Sequence, residues 1–470
     1  MARKYTRRQA LVAAAASGGY LLTAPAFNVG RVYGANEKLT VAGIGVGGKG
    51  SGDIDQAGSL MEVVALCDID DTKLAPKAKK WEKAKTFADF RKIFDDSALL
   101  KGIDAFTIST PDHTHALPAV LAMRAGKHVY VQKPLTHDVY EAHLLRKEAK
   151  KNKVCTQMGN QGTAANGLRR AAELVQAGVL GAVKDVHVWT NRPIWPQAPA
   201  VTKRPAKEDP VPNHVHWDEF LGPAPARPFV GNRTYHDFAW RGWWDFGTGA
   251  IGDMACHTAN MAFMGLKLGH PDHVSAEAGD VNPETCPSYA HVTLKFPSRG
   301  DMPPVALHWY EGKKDGKKLT PPEELVAKAI ALDTNKKRGA SLVNSGSILV
   351  GEKGIAYSPD DYGAEVFFST GGNSGGKPEK LPSNNGGDSG QKKEWVDAIK
   401  AGKPELALSN FDYAGMLTAA FLLGNVAIRT GKAFSWDGEA CAAKDCPEAG
   451  PLIRRQYRKG WDLIGYNANA

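Results

Sequence analysis

Only six of the 470 residues are cysteine, and no two of them stand as Cys-x-x-Cys. A zinc ribbon or a thioredoxin-type site therefore finds no support. Cys67 falls in an expected core strand and Cys256 on an expected helix, as buried thiols do. Cys441 and Cys446 are near enough in sequence to pair in an oxidising compartment. There is no internal repeat. There is also no basic stripe interleaved with aromatics, which argues against nucleic-acid binding. The formal charge is +9, from 59 Lys and Arg against 50 Asp and Glu. Four of those cations, Arg3, Lys4, Arg7 and Arg8, lie in residues 1–26, which hold no acid. His113 with His115, and His214 with His216, lack a third ligand at telling spacing, so no metal site is expected. Leu11 to Leu22 is too short and too rich in small residues for a stable membrane span.

The remainder is ordinary globular composition, 43% hydrophobic and 23% charged, with 50 glycines marking many turns. The length suits two domains. Thr6-Arg7-Arg8-Gln9-Ala10-Leu11 resembles a twin-arginine signal, and Ala24-Pro25-Ala26 is a candidate cleavage site. Residues 1–36 are read as signal and linker, and a periplasmic location is expected. No cysteine follows the apolar core, so a lipid anchor is not indicated.

Leu39 to Ile44 reads as a buried strand that breaks into Gly45-x-Gly47-x-x-Gly50, with Gly48 inside the motif. In a dinucleotide site such glycines permit the tight turn, the approach to a pyrophosphate and close helix packing. A second strand ends at Asp68, 18 residues after Gly50. A carboxylate there suits ribose hydroxyls and repels a 2′-phosphate, favouring NAD over NADP. Residues 37–155 keep a strand–helix rhythm, which predicts a doubly wound parallel sheet. Within it, a strand over 103–108 leads into Ser109-Thr-Pro-Asp-His-Thr-His115. Another ends at Gln132-Lys133-Pro134 and aims the lysine into the crevice at the strand ends.

Three segments together resemble the Gfo/Idh/MocA oxidoreductases, the glucose–fructose oxidoreductase and inositol dehydrogenase group. They are Gly45–Gly50, Thr110–His115 and Lys127–Pro134. The family's usual Glu-Lys-Pro appears here as Gln132-Lys133-Pro134, which keeps a hydrogen-bond acceptor but no negative charge beside the lysine. The resemblance places Thr110, Pro111, His113 and Gln132 along the cofactor. It implies a second, α+β domain over 156–470 with a large open, mostly antiparallel sheet, and a homodimer or homotetramer. Strand-like runs at 183–189, 291–296 and 305–309 fit that half. A Lys-rich insertion covers 311–347, and a Gly/Asn/Ser-rich loop covers 370–391. The helical pattern over 411–430 is placed back on the first domain. After the glycines at 247, 249 and 252, Asp253-x-x-x-His257 matches the family motif that faces the nicotinamide together with the Lys of Lys-Pro.

On a helix, Asp253 and His257 share a face. Alcohol oxidation needs a base that titrates near working pH, which suits an ordinary histidine. The expected catalytic set is therefore Lys133, Asp253 and His257, with Asp253 orienting the imidazole or binding a hydroxyl. Arg192, Trp195, Tyr235, His236, Trp240 and Arg241 suit a carbohydrate, with aromatic faces for C–H surfaces and polar tips for hydroxyls. The first expectation is an NAD-dependent oxidoreductase of a sugar, polyol or glycoside. Export implies tightly bound NAD, because no free nicotinamide pool lies outside the cytoplasm. That opens a redox-neutral glycosidase as a second reading, and a non-catalytic binder on the same fold is the third.

Overall fold

The computed structural model describes residues 38–372 and 379–467, so the expected signal segment lies outside the described residues. Six parallel strands form the first sheet: β1 (Thr40–Ile44), β2 (Glu62–Cys67), β3 (Lys85–Phe87), β4 (Ala105–Ile108), β5 (His128–Val131) and β6 (Thr156–Met158). Their order is β3-β2-β1-β4-β5-β6. Val41, Ala42 and Ile44 are all buried, because helices cover both faces of such a sheet. The strand order reverses between β1 and β4, and a crevice opens at their carboxyl ends. The strand expected from residue 103 begins at Ala105, with Ile103 and Asp104 buried in the approach to it.

The second sheet has ten strands and is mostly antiparallel. At its centre β7 (Val183–Trp189) runs parallel to β10 (Val305–Lys314), and β9 (Tyr289–Phe296) and β8 (His273–Gly279) follow. The Lys-rich insertion is not a plain loop. Its helix Glu323–Leu332 places Ala329 against Trp189, Tyr310 and Tyr357 on the outer sheet face.

Helix Phe411–Thr430 joins the two layers. The Asn410 side chain caps it by accepting from the amides of Asp412 and Tyr413. Gly415 lies against Ala142 and Arg146 of helix Val139–Asn152, where a Cβ would come within 2.5 Å of the Arg146 side chain. Gly424 lies against Val292 of β9. This is the one helix among the described residues long and apolar enough to cross a membrane, and 78% of that window is buried inside the fold. Its apolar circumference is thus a core feature.

Two expectations change. Helix Gly387–Ala401 begins inside the stretch read as a Gly/Asn/Ser-rich loop, because Trp395, Val396 and Ile399 supply a buried stripe. The helix carrying Asp253 starts at Gly249 and ends at Thr258, so the glycine loop forms its first turn. All six cysteines are free, and Cys441 does not pair with Cys446.

Candidate active site

A cavity of about 570 Å³ lies between the strand ends of the first sheet and helix Gly249–Thr258. The glycine loop forms one wall. Gly45 has φ +74°, and a Cβ there would meet the Ser109 carbonyl oxygen at 2.7 Å. A Cβ on Gly50 would meet the Gly45 carbonyl oxygen at 1.8 Å, so only glycine lets helix Gly48–Leu60 start this close to β1. No side chain caps that helix, which leaves its first amides toward the cavity. Asp68 takes the amides of Val46 and Gly47 on one oxygen, at 2.9 and 2.8 Å, and that of Asp70 on the other. The carboxylate therefore shapes the loop as well as facing the cavity. The Thr110 hydroxyl and His257 Nδ1 are buried on residues of this wall without hydrogen-bond partners. Uncapped amides, a glycine cradle and two orphaned polar atoms fit a dinucleotide.

At the far end Lys133 Nζ donates to Asp253 Oδ1 at 2.7 Å and to the Asp253 carbonyl at 3.0 Å. Arg241 and Arg192 stand 3.5 and 3.7 Å from the same carboxylate. Burial works to raise the Asp253 carboxyl, but Lys133, Arg241 and Arg192 together hold it below its ordinary value. It is ionised at working pH. Burial pushes His257 down to about 3, and the nearby Lys133 charge acts the same way. The imidazole is neutral, not poised near 6.5 as its type suggests. It also makes no hydrogen bond to Asp253. The two share a helix face, but the lysine and arginines from elsewhere in the chain take the carboxylate.

Other expected residues sort into wall and support. Gly45, Gly47, Gly48, Asp68, Thr110, Pro111, Gln132, Arg192, Trp195, His236, Trp240 and Arg241 all line the cavity with Lys133, Asp253 and His257. His113 does not. Its ring is buried behind the wall, against the carbonyls of Phe220 and Phe246 at 2.8 and 3.3 Å. Tyr235 is likewise buried, packed on Trp243 and Phe246 instead of facing a sugar. His115 is buried, with one ring nitrogen 2.8 Å from the Pro134 carbonyl oxygen and the other 2.8 Å from that of Thr110. It ties the lysine's loop to the threonine's.

Two groups escaped the sequence reading. Asp53 is fully buried and accepts from Lys49, Lys392, Ser109 and Gln132. The carboxylate missing from position 132 thus stands 79 residues earlier, bonded to the Gln132 amide at 2.8 Å. The other is Asp112, buried on the wall, which accepts from the Thr248 hydroxyl at 2.6 Å. Burial raises it to about 7, against the pull of Thr248, Lys133 and Arg241. The folded carboxyl keeps its proton over a range where the unfolded one, near 3.9, has lost it. The associated stability is complete below the unfolded value and is lost as pH rises through about 7. Asp112→Asn keeps an acceptor for Thr248 and removes this titration. Wild type should lose at most about 4 kcal/mol relative to the variant over that window. Urea denaturation at stepped pH reads this, and parallel stability curves would contradict it.

A model of the oxidoreductase family with an NAD-binding Rossmann fold matches residues 38–160, and the model of that family's C-terminal α/β domain matches 164–303. Together they cover more than half the chain. The chain belongs to the Gfo/Idh/MocA oxidoreductase family. Among curated relatives, inositol 2-dehydrogenase of Salmonella typhimurium is 26% identical over 149 residues, 31% of this chain and 43% of that protein. A glycosyl hydrolase family 109 protein of Shewanella pealeana is 30% identical over 140 residues, 28% of this chain and 31% of that protein. The chain thus spans less than half the length of these relatives. The aldose–aldose oxidoreductase of Caulobacter crescentus, solved with glycerol, shares the fold. Its TM-score is 0.54 at 17% identity, over 85% of this chain and 100% of that one. Within the family motif, this member replaces the acid before Lys-Pro with Gln132 and holds it through Asp53.

Proposed function

We propose that this protein is an NAD-dependent oxidoreductase acting on a hydroxyl of a sugar, polyol or glycoside. One observation carries the reading: the Lys133 ammonium and the Asp253 carboxylate meet at 2.7 Å in the cavity that also holds the glycine loop. The loop amides would hold the diphosphate, Asp68 the ribose hydroxyls, and Thr110, Pro111 and Gln132 the remainder. Bound there, NAD supplies a hydride acceptor at its nicotinamide ring. Asp253 takes two of the three N–H directions of Lys133 with its carboxylate and carbonyl, which leaves one for a substrate oxygen. That donor polarises the hydroxyl. His257 Nδ1, buried and without a hydrogen-bond partner, would accept a hydrogen bond from that hydroxyl and orient it, and the proton released as the hydride leaves would pass to solvent through the cavity.

The reading includes tight retention of the cofactor. A segment of the second half straps the Asp68 end of the cavity. Val215 bridges Asp70, and the His216 amide donates to the Ile69 carbonyl at 2.8 Å. His236 contacts Asp70 at 2.9 Å, and Asp237 pairs with Lys73 at 3.6 Å. His236 and Asp237 line the cavity with Asp68. His236→Ala with Asp237→Ala should raise the NAD dissociation rate about tenfold or more, since two polar ties are lost. Stopped-flow displacement measures it, and an unchanged rate would contradict the strap.

Retention suits the export suggested by the twin-arginine-like segment, and the reading places the protein in the periplasm. A homodimer or homotetramer belongs to it as well, because His291 and Thr293 leave a half-exposed sheet face opposite helix Phe411–Thr430. A redox-neutral glycosidase is the second reading: a cofactor retained by the strap would be restored in place within each cycle. The test is to purify the protein, extract any nucleotide, and offer free sugars and aryl glycosides. Nicotinamide fluorescence and keto-sugar should appear together. Aglycone release without a net nicotinamide change would select the second reading. Absence of nucleotide binding would discard both.

A further inference from the structure

Three cations, Lys133, Arg241 and Arg192, converge on one carboxylate, Asp253, and leave an excess of positive charge at the substrate end. None of the other acids that line the cavity, Asp68, Asp112, Glu219, Asp237 and Asp361, pairs with these three cations among the described residues. Asp237 pairs with Lys73 and Arg233, and Glu219 with Arg91. Asp361 pairs with neither arginine among the described residues. Asp112 is held by Thr248 and stays largely protonated below about 7.

The two arginines also have donors to spare. Arg192 turns Nε toward Asp253 Oδ2 at 3.7 Å and ties Nη1 to Asn191, which leaves its Nη2 donors for a ligand. Arg241 gives Nη1 to the Phe238 carbonyl at 3.3 Å. Its guanidinium lies 4.2 Å from the Trp240 ring centre and 4.7 Å from that of Phe238, which fixes its plane. A neutral hydroxyl would satisfy donors but not charge. A carboxylate does both, because its two oxygens can take the remaining Nη donors of the two guanidiniums while its charge meets theirs.

We infer that the sugar taken by this site is an acid, a uronate or aldonate, whose carboxylate docks on Arg192 and Arg241 beside the Lys133–Asp253 pair. The inference rests on the oxidoreductase reading and sharpens its substrate class.

The test uses the purified full chain with its nucleotide. Probes are matched sugars: glucose with glucuronate, galactose with galacturonate, mannose with mannuronate, plus gluconate and glucose 6-phosphate. Binding is read by quenching of Trp195 and Trp240 fluorescence, and turnover by the nicotinamide. The acidic member of at least one pair should bind at least about tenfold tighter. Arg192→Gln and Arg241→Gln should each narrow that ratio about tenfold, with retained nucleotide and an unchanged thermal midpoint as the check of folding. Neutral sugars binding as well in every pair, no acid binding, glucose 6-phosphate binding best, or a ratio that survives both substitutions would overturn it. If neutral sugars are turned over without acid preference, the oxidoreductase reading stands and the acid site falls. If acids bind yet no sugar changes the nicotinamide signal, the acid site stands and the oxidoreductase reading falls.

Discussion

Lys133→Met is expected to lower kcat by about a thousandfold or more while nucleotide remains bound. Methionine fills the place of the lysine's apolar stem and removes the group that touches Asp253 at 2.7 Å and keeps a donor for the substrate. The fold should survive. Asp253 keeps Arg241 and Arg192 at 3.5 and 3.7 Å, so its buried charge is still compensated, and the stability cost should be about 1–2 kcal/mol. Lys133→Arg should not restore turnover, because a planar fork cannot present one donor where a point charge stood. Single-turnover kinetics with a competent sugar separates these effects from binding. A Lys133→Met protein that turns over within tenfold of wild type would remove the lysine from the chemistry.

The largest effect on stability is expected from Lys392→Met. The Lys392 and Asp53 side chains are both 0% exposed. Burial disfavours the charge on each, and each supports the other: Lys392 and Lys49 hold Asp53 below its ordinary value. The Lys392 ammonium also donates to Tyr130 Oη at 2.9 Å and lies 4.3 Å from its ring centre. Removing it leaves a buried carboxylate with Lys49 as its remaining cation, at 2.8 Å. The cost should be about 3–5 kcal/mol. Asp53→Leu with Lys392→Met should recover part of that loss, because the double variant strands no charge. Chemical denaturation of both variants reads it. Because Asp53 also holds the Gln132 amide, Lys392→Met should weaken nucleotide binding too. A Lys392→Met variant with wild-type stability would show that Lys49 alone satisfies Asp53.

The first sheet was legible because its signals are local. An apolar run, a glycine spacing and an acid at the next strand end need no distant partner to be read. Lys133 and Asp253 were legible only as members of a motif set, since 120 residues separate them. What failed depended on partners from far away in the chain. His113 carries no local mark of burial; Phe220 and Phe246 from the second half close over it. Asp253 and His257 do share a helix face, but cations brought by tertiary structure took the carboxylate first. The Asp53 network did leave a trace. Gly50, Asp53, Ile54 and Ala57 fall on one helical stripe, and so do Lys392, Trp395, Val396 and Ile399. A charge set into an apolar stripe signals a buried partner, because an unpaired one would not be tolerated.

The most direct test is a single-turnover comparison of wild type and Lys133→Met, each purified with its nucleotide and mixed with the sugar, acidic or neutral, that binds best. Wild type should show one nicotinamide change per bound nucleotide and a matching amount of keto-sugar. Lys133→Met should bind the same nucleotide and sugar and show neither. Equal bursts from the two proteins, or wild type without bound nucleotide, would contradict a site in which Lys133 and Asp253 act on a sugar beside NAD.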